Sequence, residues 1–229
     1  VRVLFRVYAP SSRFQMTHIL VSRSFADKHG IKSFADIVKK KVPMRVAINR
    51  RGNQDGDISE SVMNALGATR KNITGWGGQV VHAASKEIVS LMLDRRIDVA
   101  NFGISFNHPR IREIAKGVNP VLLDIPRDAA AKVAKQFGGK TCTVKAGEYK
   151  WSKTGATSVC IGVVIVANAN MDNKLAYNIT KAMFEQIEVF KTKSHRLIKA
   201  TATPKVLATE GAAPFHPGAI KYLKEKGLM

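Results

Sequence analysis

Apolar residues along this chain come in short runs separated by longer stretches in which they recur every three or four positions. Residues 17–21 (THILV) predict a strand. A short helix is expected after residue 33, with Ser33 as its N-cap and Asp36 three positions on as capping partner, ended by Pro43. A strand is expected at 45–48, then a polar loop, then a helix over 57–66 with Ile58, Val62, Ala65 and Leu66 on one face. Asp57 and Glu60 have capping-box spacing there, and Gly67 suits the C-terminal cap. Residues 85–95 predict a second amphipathic helix with Ile88, Met92 and Leu93 inward, and 97–102 a strand. Further strands are expected at 120–124, 142–145 and 158–167, with a helix over 128–137. The run 158–167 is the most apolar of the chain and reads as a central strand. From Asp172 a long helix is expected to about 191, with Leu175, Ile179, Met183, Ile187 and Phe190 as its core stripe, and Pro217 opens a last helix. Strands alternating with helices predict an α/β protein with mainly parallel sheets.

The chain has 229 residues, enough for one large domain or two small ones. Its longest apolar run, near 159–169, falls short of the roughly 20 residues a membrane-spanning helix needs. Arg2 and Arg6 interrupt the first apolar stretch, which excludes a signal-peptide core there. The net charge of +20 comes from 37 basic and 17 acidic residues. It speaks of partners and solubility rather than fold. The basic residues are spread along the whole chain and never interleave with aromatics as a single-strand platform does, so a solvated basic surface is expected and a nucleic-acid partner is not. Cys142 and Cys160 form no metal-ligand spacing. They read as two buried thiols, with one disulfide open if their strands are adjacent in an oxidising compartment.

No catalytic motif is present: there is no Gly-x-Ser-x-Gly elbow, phosphate-binding loop or His-Glu-x-x-His. The six histidines never fall at ligand spacing with cysteine or one another. Neither a metal nor a cofactor is expected, and binding rather than catalysis is the reading. The strongest chemical feature is the loop 49–57 (NRRGNQDGD) between a strand and a helix. Strand carboxyl ends feeding helix amino ends are where α/β proteins bind ligands, and the backbone N–H groups there favour anions. The stretch Asn101-Phe102-Gly103-Ile104-Ser105 at the end of another strand is a second candidate, and the turn Gly155-Ala156-Thr157 a third.

Two ordered blocks in the last third carry a family resemblance. Ala176-Tyr177-Asn178-Ile179-Thr180-Lys181-Ala182-Met183-Phe184-Glu185 is one. Pro214-Phe215-His216-Pro217-Gly218-Ala219, followed by Tyr222 and Glu225-Lys226-Gly227, is the other. With the earlier Gly30-Ile31-Lys32-Ser33 and Ala35-Asp36, they resemble the TAXI family of TRAP-transporter solute receptors over almost the full length. The resemblance implies a type II periplasmic-binding-protein fold, two lobes joined by crossing hinge strands, with residues 1–43 plus 157–229 in lobe one and 44–156 in lobe two. It implies a monomeric periplasmic receptor that closes on a carboxylate or amino acid and delivers it to a TRAP-type permease. Ligand contacts would fall on Gly52, Asn53, Gln54 and Asp55, on Asn101 and Gly103, and on Thr157. His216-Pro217-Gly218 would be structural.

Two departures qualify the resemblance. The family's Gly-Ser-Gly-Thr loop is Gly52-Asn53-Gln54-Asp55 here, and the carboxylate of Asp55 would repel an anionic ligand unless Arg50 or Arg51 offsets it. Family members also carry further chain ahead of the strand at 17–21, so the sequence is expected to hold lobe one only in part. Two other functions remain open from sequence: a ligand sensor without transport, and an interaction protein driven by the positive charge.

Overall fold

The chain alternates between two strand-forming and helix-forming periodicities, and the computed structural model turns that alternation into two units. It describes residues 1–229, Arg196 by its backbone alone. The first unit combines 1–14 with 161–229, and the second holds 15–160.

The first unit opens with β1 (Arg2–Tyr8). The second unit begins with β2 (Met16–Val21), α1 (Arg23–His29), α2 (Phe34–Lys39) and β3 (Arg45–Ile48). It continues through α3 (Gln54–Ala65), α4 (Arg70–Gly75), β4 (Gln79–His82), α5 (Ser85–Leu93) and β5 (Val99–Ile104). It closes with α6 (Pro109–Val118), β6 (Val121–Leu123), α7 (Arg127–Gln136), β7 (Lys140–Val144) and β8 (Ala156–Cys160). The first unit resumes with β9 (Val163–Ala167), α8 (Asn173–Glu185), α9 (Ile187–Lys193), α10 (Arg196–Thr201), α11 (Pro204–Leu207) and α12 (Pro217–Glu225).

In the second unit one seven-stranded sheet runs β4-β3-β5-β2-β8-β7, with β6 also paired to β2. The α/β class stands, and parallel pairing is confined to β3 with its neighbours β4 and β5. β2 runs against β5, β6 and β8, and β7 against β8. Parallel pairing needs a crossover helix, which α3, α4 and α5 provide; β7 and β8 lack one and pair antiparallel. Residues 15–43, expected in lobe one, group with 44–160 instead. The pairing of β2 with β5 over Met16–Val21 ties them there, and sequence composition carries no trace of it. The core of this unit packs Met16, Leu20, Ile88, Met92, Phe102, Ile111 and Tyr149 between sheet and helices.

In the first unit β1 and β9 form a two-stranded antiparallel sheet. Helices α8 and α12 pack on each other so closely that a Cβ on Gly218 would lie 2.2 Å from the Asn173 carbonyl oxygen. The stripe expected after Asp172 packs on the core through Ile179, Met183, Ile187 and Phe190, Leu175 is exposed instead, and Ala176, Thr180 and Phe184 are the most deeply buried positions. The run 158–167 is two strands rather than one. β8 belongs to the large sheet and β9 to the small one, because the chain passes from one unit to the other at Ile161-Gly162.

Local signals are realised where they depend on neighbours in sequence. Ser33 and Asp36 form a full capping box on α2. Asp172 accepts the Leu175 amide at the start of α8. α3 instead starts three residues before the expected Asp57, because the Asn53 side chain accepts the Asp55 amide at 2.9 Å and caps the helix earlier. The cysteines are not free thiols: Cys142 and Cys160 are disulfide-bonded, their Cα atoms 5.9 Å apart on the antiparallel neighbours β7 and β8.

Candidate functional site

The carboxyl ends of β3, β4 and β5 lie side by side, and three connecting loops meet there. β3 delivers Asn49 and the loop 50–53 to α3, β4 delivers His82, and β5 delivers Gly103. Gly52 adopts φ +74°, a left-handed backbone that a side chain would strain. Gly56, in the first turn of α3, is required for another reason: its Cβ would lie 2.8 Å from the carbonyl oxygens of both Asn49 and Arg50.

Beneath this loop is a buried hydrogen-bonded hub. The Asp55 carboxylate accepts the backbone N–H of Gly103, and its other oxygen accepts the Asn49 side-chain amide at 2.9 Å. Asn49 also accepts the Arg50 amide at 2.8 Å and reaches the Ser85 hydroxyl at 3.4 Å. The Asn49 carbonyl oxygen is 3.0 Å from Nδ1 of His82, whose Nε2 is 2.6 Å from the Arg70 guanidinium. Arg70 is cationic and can only donate, so Nε2 accepts and the proton sits on Nδ1. Burial pushes the Asp55 carboxyl up to about 6, against the two hydrogen bonds that favour its charged form. A Cβ on Gly103 would lie 2.6 Å from the Asp55 carboxylate, so that position must be glycine for the hub to close.

The seven expected contact residues fall into three groups. Gly52, Asn53 and Gln54 are exposed at the loop tip, beside exposed Arg50 and Arg51. Asp55 and Gly103 are joined to each other, with Asp55 5% exposed. The expected repulsion between Asp55 and an anionic ligand therefore has no basis in geometry: this carboxylate faces inward and is engaged from both sides. Asn101 is fully buried under α3, where its amide donates to the Ser59 carbonyl at 3.1 Å while its own oxygen has no partner. Thr157 stands apart on β8, separated from β5 by β2, with its amide donating to the Asp124 carboxylate. The loop thus unites Gly52, Asn53, Gln54, Asp55 and Gly103, places Asn101 below them, and leaves Thr157 elsewhere in the same sheet.

Asn49, Ser85 and His82 complete the hub; Asn49 opens the loop singled out in the sequence without being named as a contact, and Ser85 and His82 escape the sequence reading. Asn49 carried a visible signal, since an asparagine directly after a strand and before a glycine-containing loop is a turn former. His82 and Ser85 carried none, because nothing local ties them to residue 49. Arg50 lies 3.1 Å from Glu87, an exposed pair, and Glu87 also accepts the Ala84 amide at 2.7 Å to cap α5. Arg50 is thus partnered by a carboxylate, and Arg51 is the second exposed cation of the loop, beside Gly52.

A fully buried histidine lies on β2. His18 is within 3.0 Å of the Met16 carbonyl through Nδ1 and 2.7 Å of the Tyr149 hydroxyl through Nε2. Burial drives its pKa down to about 4, so the ring is neutral, with the proton on Nδ1 facing the carbonyl. His216 caps α12 by accepting the Gly218 amide at 3.2 Å, in keeping with a structural role. Among the described residues, no three His, Cys, Asp or Glu side chains gather to hold a metal ion. Among the same residues no helix is long and apolar enough to cross a membrane.

No curated protein matches the sequence significantly. A glycine betaine/carnitine/choline ABC transporter of known crystal structure is 14% identical, with a TM-score of 0.36, over 96% of this chain and 64% of that one. The present chain therefore spans less than two thirds of that protein's length. The NMT1-like family model matches residues 2–227, from the first strand through the last helix, whereas the sequence resemblance had pointed to the TAXI receptors. A match of that extent shows that the chain belongs to the NMT1-like family.

Proposed function

We propose that the chain is a solute-binding receptor that holds a small organic anion and passes it to a membrane transporter. The loop 50–54 is the observation that carries this reading. It presents Arg51, Gly52, Asn53 and Gln54 to solvent at the carboxyl edge of three parallel strands, on the amino end of a twelve-residue helix. Helix dipole and loop amides favour negative charge at that place, and Arg51 adds a cation. The Asp55 hub braces the loop from beneath, which keeps the binding groups fixed before the ligand arrives.

The finer terms follow from chemistry and from the sequence resemblance. The ligand is a carboxylate or an amino acid, because Arg51, exposed beside the backbone amides of the loop, suits a single compact anion. The transporter is of the TRAP type, as the two blocks in the last third imply. The protein works in the periplasm, a reading supported by the Cys142–Cys160 disulfide, since such bonds persist in oxidising compartments. Binding rather than catalysis is favoured because the buried acid of the hub, Asp55, is engaged by Asn49 and Gly103, and His82 by the Asn49 carbonyl and Arg70.

A thermal-shift screen against amino acids, dicarboxylates and keto acids tests this. A ligand that binds only the folded state raises its stability by about 2.7 kcal/mol at a hundred times its dissociation constant. One compound class raising the melting temperature at high salt supports the reading. A flat response across the panel counts against it.

A further inference from the structure

At the opposite end of the large sheet, where the parallel strands begin, unit two carries a basic face with a different character. Two shallow basins of about 590 and 650 Å³ adjoin there, and a third of about 490 Å³ continues from them along α6 as far as Asn107, just past the end of β5. They share walls: Arg23 and Asn119 belong to two of them, Lys116 to another pair, and Trp151 to a third pair. Nine lysines and arginines line the basins against two carboxylates. Both carboxylates are engaged. Asp98 accepts the Arg45 amide and Nε at 2.9 Å each and its Nη2 at 2.7 Å. Glu148 accepts the Lys145 amide at 2.6 Å. Asp27 flanks the face, and its exposed pairing with Arg23 at 3.9 Å is too long to cancel that charge.

Two further observations set this face apart from an ordinary solvated surface. Half-buried aromatic rings sit among the cations: Phe25 in a basin with buried Met92 and Ile97, and Trp151 in one with buried Ile31 and Leu122. The Trp151 indole N–H is buried and has no partner. In addition, Arg95 holds φ +58° just past α5, where glycine would be less strained, with its carbonyl pinned by the Arg45 guanidinium at 3.0 Å. A basic side chain is thus held at a backbone position that disfavours it.

We propose that this face docks onto an anionic phospholipid surface, while the loop 50–54 at the other end of the sheet is left clear. The proposal rests on the receptor reading only in its purpose, which is to bring the protein to the membrane where a transporter sits. Its physical basis is separate. Lysine and arginine heads meet lipid phosphates, and aromatic rings between them settle at headgroup depth, which suits a broad shallow face better than a groove. A nucleic acid would need stacking platforms in a tracking groove, and the disulfide indicates a compartment without one.

The test measures partition of the protein onto phosphatidylcholine vesicles with and without phosphatidylglycerol, at low and high salt. One variant carries Lys28→Gln, Lys116→Gln and Lys150→Gln on the face. A control with the same loss of charge carries Lys174→Gln, Lys193→Gln and Lys205→Gln in unit one. Each cation at an anionic surface strengthens binding about fivefold. The face variant is expected to lose on the order of a hundredfold in partition onto phosphatidylglycerol vesicles, and the control at most a few fold. Equal losses in both variants overturn the proposal, as does absence of partition by the unmodified protein. Salt-sensitive capture of an oligonucleotide without vesicle binding overturns it too. The small-acid thermal shift measured on the same three proteins is expected to be unchanged, so failure at the membrane and failure of the receptor reading are told apart.

Discussion

The carboxylate of Asp55 accepts the backbone N–H of Gly103, 48 residues further along the chain. This one bond ties the start of α3 to the end of β5 and so fixes the loop that precedes the helix. Asp55→Ala leaves the Gly103 amide and the Asn49 side chain without their acceptor, a loss of about 1–3 kcal/mol. Gly103→Ala drives a Cβ to 2.6 Å from the same carboxylate and is expected to cost about as much. Urea denaturation of both variants checks this. Either variant within about 0.5 kcal/mol of the parent would mean that the hub is not held as described.

The two buried titratable groups give opposite pH dependences. Asp55 is raised to about 6 from 3.8, so the stability it contributes is full below 3.8 and lost as pH rises through 6. His18 is lowered to about 4 from 6.5, so its contribution is full above 6.5 and lost as pH falls through 4. Each is worth on the order of 3 kcal/mol across its window, and between about pH 4 and 6 they oppose each other. The unmodified protein should therefore change little over that range from these two groups. Asp55→Asn should lose stability on acidification, and His18→Gln should gain it. Parallel stability curves for all three proteins would refute the assignment.

Reduction of the Cys142–Cys160 bond should matter more than its 18-residue span suggests at first sight. Closing a loop of that size constrains the unfolded chain by about 3 kcal/mol. Dithiothreitol is expected to lower the melting temperature of the parent and to leave the Cys142→Ser, Cys160→Ser double variant unaffected. No response of the parent to reductant would show that the pair is not bonded in solution.

In the first unit the packing of α8 on α12 depends on one missing side chain. Gly218→Ala puts a Cβ 2.2 Å from the Asn173 carbonyl oxygen and 2.9 Å from the Tyr177 amide nitrogen. Both are backbone atoms that cannot rotate away, so a loss of about 1–3 kcal/mol is expected. Asp172→Ala removes the α8 cap and should cost about 1 kcal/mol. Near-UV circular dichroism, reading Tyr177 and Tyr222 at this contact, follows the first and not the second.

What the sequence shows of this fold divides by the distance over which each signal acts. The Ser33–Asp36 capping box, the Asp172 cap, and Pro217 opening α12 are legible because their partners lie within four positions. The division of 158–167 into β8 and β9 is not, since apolar periodicity runs unbroken through the point where the chain leaves one unit for the other. The grouping of 15–43 with unit two rests on β2–β5 pairing between residues about 80 positions apart, for which no local pattern exists. The same limit governs the site. The loop 49–57 is recognisable as a strand-to-helix turn, and Gly52, Asn53 and Gln54 stand exposed at its tip. The inward turn of Asp55 follows from Gly103 and Asn49, and only three-dimensional proximity brings those together.

The central claim is that a small organic anion binds at the loop between β3 and α3, and amide chemical shifts test it most directly. Nitrogen–proton correlation spectra are recorded while the best acid from the thermal-shift panel is titrated to saturation. Progressive saturable shifts at the amides of Gly52, Asn53, Gln54 and Gly103 are the predicted result. Unmoved resonances at those four, with shifts elsewhere or none at all, would contradict the account.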